Sequence, residues 1–347
     1  MLRALVADFA AAAGAEVCTL RSAALGAAEL LWPTQRGRES ISVNDSSYGK
    51  ADWPKSTPDP LSAARVHAAQ TLEDEQRQFD RLASAADWTV VIAPETAGVL
   101  LNRCRRVVSL GGRLLGPSPE FVALTSDKHL TAEHLRRADV PSPQGIALSA
   151  GDRLPEAFPY PAVLKPCDGA GSQDVRFIAD RLSAHTAPTI SVPSRLEHFC
   201  PGRAVSVAAM CGPEGCFTLP PCRQHLSGDG RFEYLGGSLP LAQGVITDGA
   251  ESLSQRAERL ARTALAALPP PFGYVGLDLV LGPASDGTQD FVIEVNPRLT
   301  TSYVGLRAAA QSNLAEAMLG IAEGRGAHLA FRRSAVEFTA DGTVHTR

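Results

Sequence analysis

The sequence predicts an α/β protein whose helices and sheets are divided among two or three subdomains. Short apolar runs such as Trp88–Ala93 (WTVVIA) alternate with helix-like repeats, a pattern typical of βα units with buried parallel strands. After Val205 the pattern becomes richer in strands. The length of 347 residues, with 44% hydrophobic residues, is sufficient for several subdomains with a full core.

Composition excludes several classes of function. A net charge of -4 supplies no broad cationic surface for the phosphates of nucleic acid, so we expect no nucleic-acid partner. No apolar stretch is long enough to cross a membrane, and Leu2–Ala13 lacks the pattern of a signal peptide. Seven cysteines, an odd number, fit a reduced compartment, so we expect a cytoplasmic protein.

Residues 1–117 are predicted to form an N-terminal α/β domain. Helical spacing from Leu2 to Phe9 predicts a first helix that Gly14 can end, and Glu16–Leu20 is predicted to be a strand. The segment Gly37–Pro60 is rich in Ser, Asp, Gly and Pro, which indicates an exposed loop. Further helix and strand signals follow at Leu72, Phe79 and Leu82 and at Trp88–Ala93.

Residues 118–203 are predicted to form a central unit. A helix capped by Ser126 and running through Leu135 opens it. Pro161–Lys165 and Asp174–Ala179 are apolar strands on either side of a Gly-rich segment, so we expect a hairpin with a mobile tip.

Residues 204–330 are predicted to form a C-terminal sheet unit, followed by a tail at 331–347. Its strands are expected at VSVAAM, which starts at Val205, at Gly273–Leu281 and at Asp290–Val295. Leu253 to Leu268 repeats at helical spacing before three prolines, which predicts a helix between these strands.

The end of the last strand carries the pattern most specific for chemistry. Alternation along the strand places Glu294 and Asn296 on one face, and Asp278 lies inside a second apolar strand that we expect to be its neighbour. Oxygen ligands of this kind suit Mg²⁺, and burying two carboxylates in apolar strands needs compensation. The alternative is that each carboxylate meets an arginine or solvent at a strand end.

Several positive or Gly-rich features could contact a phosphate group. Arg298 follows the predicted metal ligands, and its guanidinium suits a transferred phosphoryl group. Lys165 ends an apolar strand, and Lys128 in a first helical turn opposes the helix dipole unless an anion compensates it. The loop after Lys165 could approach phosphate through its backbone N–H groups, although such loops are often simple turns. Its residues of interest are Gly169, Ala170, Gly171 and Ser172.

Two further segments are candidate binding sites for small molecules. The linker at Glu197, His198 and Phe199 offers backbone groups and an apolar wall for an adenine ring. The hydroxyls of Thr300, Thr301 and Ser302 could orient an amino-acid substrate beside Arg298, or Thr300 and Ser302 could simply cap the next helix.

The order of these segments resembles the ATP-grasp superfamily from about residue 85 to 320. The resemblance implies an ATP-grasp fold, with a pre-grasp α/β domain, a central lid and a C-terminal sheet. It implies ATP with Lys128 and Lys165 on its phosphates, the loop 169–173 closing over them, and Glu197 to Phe199 at adenine. It also implies Mg²⁺ at Asp278, Glu294 and Asn296; we expect two ions, with Mn²⁺ as a substitute.

Within the superfamily, the segments VIAPE at 91–95, LTSDK at 124–128 and NPRLTTSYVG at 296–305 are similar to the tyramine–glutamate ligases of methanofuran biosynthesis and their bacterial relatives. This resemblance implies a link to one-carbon metabolism and activation of a glutamate γ-carboxylate, which an amine such as tyramine then captures. The chain departs from many superfamily members at Arg203 and Ala204, where they carry a ribose-binding glutamate. It also opens at a helix that relatives place after a first strand, so we expect either that this strand is lacking or that the true start lies upstream.

The leading hypothesis is an ATP-dependent ligase that joins a small-molecule acid to an amine through an acyl phosphate, with Arg298 and Lys165 as catalytic groups. Two alternatives stay open: an ATP-grasp enzyme that activates bicarbonate, and a nucleotide-binding regulatory module without activity. We also leave a homodimer open.

Overall fold

The computed structural model describes residues 1–12, 15–22, 64–169, 171–241, 251–326 and 328–346. The predicted loop Gly37–Pro60 and the predicted helix stop at Gly14 lie outside these residues. In the part of the chain that the structure describes, no helix is long and apolar enough to cross a membrane.

The N-terminal part contains a small parallel sheet and four helices. Strand β1 pairs in parallel with β2, and the predicted first and second helices are present as α1 and α2. Helix α2 starts after Thr71, whose hydroxyl accepts the backbone N–H of Asp74. The elements are α1 (Leu2–Ala11), β1 (Cys18–Ser22), β2 (Arg65–Ala69), α2 (Leu72–Ala85), α3 (Val99–Ser109) and α4 (Pro119–Thr125).

The run Trp88–Ala93 is buried over its second half, Val91 to Ala93, but it is not the full strand that was predicted. Its one bridge joins Thr89 in parallel to Leu114. The partner segment ends at Gly116 and Pro117, and a proline has no N–H with which to continue a ladder.

The central part is a four-stranded antiparallel sheet in the order β3-β6-β4-β5. The pairing of β4 with β5 confirms the predicted hairpin. Its elements are α5 (Lys128–Arg137), β3 (Gly145–Leu148), β4 (Ala162–Pro166), β5 (Arg176–Ile178), α6 (Arg181–Thr186) and β6 (Ser194–His198).

The predicted cap of α5 was wrong by one residue. Asp127 is the N-cap, and its carboxylate accepts the backbone N–H groups of His129 and Leu130. A carboxylate satisfies two of the free N–H groups of the first turn at once and suits the positive end of the helix dipole. The hydroxyl of Ser126 is instead buried without a hydrogen-bond partner among the described residues.

The C-terminal part is a large antiparallel sheet in the order β12-β11-β7-β9-β10-β13-β14, with β8 paired to β7. The stretch 331–347, expected to be a tail, contributes the last two strands. The elements are β7 (Arg203–Gly212), β8 (Gly215–Thr218), β9 (Cys222–Leu226), β10 (Tyr234–Leu239), α7 (Leu253–Ala267), β11 (Gly273–Leu281), β12 (Phe291–Asn296), α8 (Ser302–Ala309), α9 (Leu314–Ala322), β13 (Val336–Thr339) and β14 (Val344–Thr346).

Strand β7 divides this part into two cores. Val205 and Val207 face the core that contains α7, whereas Ala208 and Met210 face the core that contains α8 and α9. This is the alternation expected of a strand that is covered on both faces. The neighbouring strands β11 and β12 are thereby held rigidly at the end of the sheet where the predicted site lies.

Helix α1 is fastened to α8 through a buried carboxylate. Asp8 accepts hydrogen bonds from the Tyr303 hydroxyl at 2.7 Å and from the Arg307 Nε at 2.6 Å. The N-terminal part therefore braces the helix that directly follows the predicted substrate segment.

Candidate active site

Two paired strands bring the three predicted metal ligands together. Asp278 of β11 lies opposite Glu294 of β12, and Gly276 lies opposite Asn296. The Asn296 Nδ2 donates to the Asp278 Oδ2 at 3.1 Å. The ladder shifts register just after Asp278, a β-bulge of the kind that re-aims side chains beside functional sites.

Asp278 carries the least compensated charge of this group. Burial, followed by the nearby Glu294 carboxylate, raises the pKa of Asp278 to about 7. Its hydrogen-bond donors are neutral: the Asn296 amide and the Gln224 Nε2, which donates to the Asp278 Oδ1 at 2.8 Å. Gln224 lies on β9 and was missed by the sequence analysis, because no local pattern relates it to β11.

The donor set suits a hard divalent cation. Two carboxylates and an amide oxygen are the ligand types that Mg²⁺ takes, with the rest supplied by water and phosphate. No group of three His, Cys, Asp or Glu side chains that could hold a metal occurs within the described ranges. Mg²⁺ that binds together with a nucleotide usually has one or two carboxylate ligands from the protein, and water and phosphate oxygens fill its other positions.

The two predicted lysines converge on β12. The Lys128 Nζ lies 3.0 Å from the Glu294 Oε1, and the Lys165 Nζ donates to the Ile293 carbonyl at 3.2 Å. Both side chains are buried. Burial lowers the pKa of Lys128, but the Glu294 carboxylate outweighs it, so the pKa is raised and the amine stays charged.

The Gly-rich loop lies against Lys128. The Lys128 Nζ donates to the carbonyl of Gly169, and the backbone adopts positive φ at Gly171 (67°) and at Ser172 (59°). Ala170 lies outside the described residues. A non-glycine residue at positive φ is uncommon, so Ser172 marks a loop conformation that the surroundings hold in place.

The three predicted linker residues, Glu197, His198 and Phe199, make different kinds of contact. The Glu197 carboxylate pairs with Lys165 at 2.5 Å and with the fully buried Arg195 at 2.7 Å, so it orients a lysine. The N–H groups of His198 and Phe199 already donate to backbone carbonyls of Gln144 and Pro161, and are not open to a ligand.

Phe199, predicted to form an apolar wall, lies in a cluster of aromatic rings. Its ring centroid lies 5.0 Å from that of Phe177 on β5 and 6.1 Å from that of Phe232 in the loop before β10. The three rings join the central sheet to the C-terminal sheet at the side of the site where the linker runs.

Arg298 is held by a residue that the sequence analysis did not assign to the site. Its Nε and one terminal nitrogen (Nη2) donate to the two oxygens of Glu95 at 2.8 and 3.1 Å, and its other terminal nitrogen (Nη1) donates to the Leu299 carbonyl at 3.2 Å. Burial lowers the pKa of Arg298, but the carboxylates of Glu95, Glu294 and Asp278 together raise it by more, with Glu95 the largest of the three. Glu95 ends the segment VIAPE, so a charged residue directly after a buried apolar run was the available signal.

The hydroxyls after Arg298 form a cluster and do not cap α8. Thr300 and Ser302 lie 2.9 Å apart, and the Tyr274 hydroxyl lies 3.1 Å from the first and 3.3 Å from the second. The N-cap of α8 is Thr301, whose side chain makes no capping hydrogen bond. The capping alternative for Thr300 and Ser302 was therefore wrong.

The strand ends carry the carboxylates Glu95, Asp278 and Glu294 and the cations Lys128, Lys165 and Arg298. A bound divalent cation would add positive charge to this group and make it more attractive to phosphate.

Comparisons with known proteins identify the family of the chain. The ATP-grasp domain family matches residues 125–302, more than half of the chain, and the pre ATP-grasp 3 domain matches residues 52–122. The fold and the acidic strand pair thus define the class: the chain belongs to the ATP-grasp family and is an enzyme of its ligase class.

The particular likeness is to tyramine–L-glutamate ligase of Methanocaldococcus jannaschii, which is 25% identical over 74% of this chain and 68% of that protein. The carbamoyl phosphate synthase large chain of Clostridium acetobutylicum is 24% identical over 57% of this chain and 18% of its own length. Among solved structures, a biotin carboxylase–β,γ-ATP complex from Campylobacter jejuni shares the fold, with a TM-score of 0.68 at 16% identity over 97% of this chain and 72% of that one.

Proposed function

We propose that this enzyme uses ATP to join a glutamate γ-carboxylate to an amine such as tyramine through an acyl phosphate. The observation that carries the proposal is the facing pair Asp278 and Glu294, with Lys128, Lys165 and Arg298 gathered at the same strand ends. Such a grouping suits the transfer of a phosphoryl group, for which positioning and charge compensation supply most of the catalysis.

The reaction has two balanced steps. An oxygen of the substrate carboxylate attacks the γ-phosphorus of ATP, and the bond to the β-γ bridging oxygen breaks, which releases ADP. The amine nitrogen then attacks the carbonyl carbon, the bond to the phosphate oxygen breaks, and the amine proton leaves with phosphate or solvent. No covalent intermediate with the protein is required.

Each group has a role in these steps. Asp278, Glu294 and Asn296 would hold Mg²⁺, which neutralises phosphate charge when bound. Lys128 and Lys165 contact the phosphates, and Arg298 stabilises the transferred group. The loop at Gly169–Gln173 covers the phosphates, and the wall at Phe199 borders the adenine.

Two features support the nucleotide and acid positions. The Cys200 N–H has no hydrogen-bond partner among the described residues, and the neighbouring His198 carbonyl accepts only the weak Cys200 thiol, so together they offer the donor and acceptor that adenine needs. The hydroxyl cluster of Tyr274, Thr300 and Ser302 stands next to Arg298, where an amino-acid carboxylate or ammonium can be oriented.

The test is a screen for ADP release with purified protein, ATP and Mg²⁺. Glutamate with tyramine is expected to release ADP and phosphate and to give a product whose mass is the sum of the two substrates less one water. Bicarbonate replaces the acid in a second arm, because the carbamoyl phosphate synthase likeness favours that alternative. ADP release with bicarbonate alone, or nucleotide binding without turnover for any acid and amine, would contradict the proposal.

A further inference from the structure

We infer that Glu95 is a positioning residue that keeps Arg298 away from the Mg²⁺ ligands, so that Mg²⁺ and the substrate do not compete with an internal ion pair. The inference rests on the proposed function in one respect: it takes the ligand of the site to be a complex of Mg²⁺ with a nucleotide. It adds a role for a residue of the N-terminal part.

Arg298 has little else to fix its direction. Strand β12 ends at Asn296, and Pro297 cannot donate to a ladder, so the backbone no longer orients the side chain. The side-chain hydrogen bonds of Arg298 go to the two Glu95 oxygens and the Leu299 carbonyl. The two-point pairing with Glu95 is the geometry in which a guanidinium is held most firmly.

Without Glu95, the carboxylates left to act on Arg298 include the metal ligands, which precede it along β12 or pair with that strand. Both Glu294 and Asp278 act electrostatically on Arg298. A guanidinium that loses its own carboxylate would turn toward these two, and above all toward Asp278, whose hydrogen-bond donors are neutral amides, because a buried unpaired charge is costly. It would then neutralise the carboxylates that Mg²⁺ requires.

The Glu95 carboxylate is itself held rigidly. The side chain is buried, with 5% of its surface exposed. It precedes a single 3-10 turn, Thr96–Gly98, in which Ala97 adopts a left-handed φ of 53°. Such strain at a non-glycine residue persists only where neighbouring groups enforce it.

Those neighbouring groups belong to the Gly-rich loop. The Ala97 N–H donates to the Asp168 Oδ2 at 2.9 Å, and the Thr96 hydroxyl donates to the Asp168 carbonyl at 3.2 Å. Asp168 directly precedes the loop Gly169–Gln173 that is proposed to cover the phosphates. One turn of the N-terminal part thus fixes both the arginine and the base of that loop.

The experiment measures how much Mg²⁺ is needed to bind a non-hydrolysable ATP analogue, with no acid or amine present. The variants are Glu95→Ala, Arg298→Ala and the double variant. Glu95→Ala is expected to raise the half-saturating Mg²⁺ concentration by about fivefold or more, as coupling between neighbouring charged groups allows. Removing Arg298 as well removes the competitor, so the double variant is expected to return toward the wild-type value.

A matched control lies in the same part of the chain. Glu75 is also buried and pairs with Arg103 at 2.7 Å, away from the strand ends. Glu75→Gln is expected to lose a similar amount of stability while its Mg²⁺ requirement stays at the wild-type value. If Glu95→Ala does not fold, Glu95→Gln keeps the shape and removes the charge, and the same shift is expected.

The inference is overturned by a wild-type Mg²⁺ requirement in Glu95→Ala, or by a double variant that needs as much Mg²⁺ as Glu95→Ala. A wild-type protein that binds the Mg²⁺-nucleotide but joins no acid to an amine contradicts the proposed function alone. The titration still decides the role of Glu95 in that case.

Discussion

Replacement of Glu294 by glutamine tests the proposed metal site most directly. The change keeps the size of the side chain but removes one of two facing carboxylates and the partner of Lys128, 3.0 Å away. Loss of one preorganised electrostatic contact in an active site typically lowers kcat by about 10²–10³-fold. We expect a loss in this range, together with a higher Mg²⁺ requirement.

The effect on folding is expected to be small. About a quarter of the Glu294 side chain is exposed, at 24%, so solvent already screens its ion pair with Lys128. Lys128 is buried, but the glutamine oxygen can still accept its hydrogen bond and the Gly169 carbonyl remains a second acceptor, so the substitution would cost about 1–2 kcal/mol. Relief of the repulsion with Asp278 offsets part of that cost. Thermal unfolding should therefore change by only a few degrees.

The assay combines initial rates of ADP release with a Mg²⁺ titration and a thermal melt. Glu258→Gln is a matched control, because Glu258 has 32% of its side chain exposed and pairs with Arg262 on α7, outside the site. Wild-type kcat with an unchanged Mg²⁺ requirement in Glu294→Gln would refute the metal site. A collapse of the melting temperature would instead show that the pair with Lys128 is structural.

Three further outcomes are expected. Ser302→Ala should raise the KM for the acid or the amine and leave ATP affinity unchanged, because the Ser302 hydroxyl belongs to the cluster beside Arg298. A change in the KM for ATP alone would contradict this. Amide exchange at Gly169 to Gln173 should slow when nucleotide binds, and equal exchange in both states would argue against a covering loop. In metal-free folded protein, the pKa of Asp278 is raised from 3.8 to about 7. Between about pH 4 and pH 7 the folded protein therefore holds a proton on Asp278 that the unfolded protein has lost. The free energy of unfolding should fall as pH rises from about 4 to 7, and Asp278→Asn should remove that part of the slope; an identical slope in the variant would contradict it.

Local patterns were sufficient to predict the strands that carry the site. Short apolar runs predicted β11 and β12, and alternation predicted one face for Glu294 and Asn296, which the strand pairing brings beside Asp278. The helix that begins at Lys128 was also predictable, since its start has a strong capping residue and apolar periodicity. These features depend on neighbours within a few positions along the chain.

Contacts between residues that are far apart in the sequence could not be predicted in this way. Glu95 and Arg298 are separated by 203 positions, and no periodicity links them. The same holds for Gln224 with Asp278 and for Tyr274 with Ser302, which meet only because β9, β11 and the start of α8 adjoin in the folded sheet. Strands β13 and β14 were missed because they have only four and three residues.

The distribution of charge explains why Asp278 is the centre of the site. Burying a charge is tolerated when a partner compensates it, and the other carboxylates of the site have one: Glu95 has Arg298, Glu294 has Lys128, and Glu197 has Lys165 and Arg195. Among the described residues, the hydrogen-bond donors of Asp278 are two amides, which do not neutralise its charge. The consequence is its raised pKa, and the cation that would lower it is the one that a phosphoryl-transfer site needs.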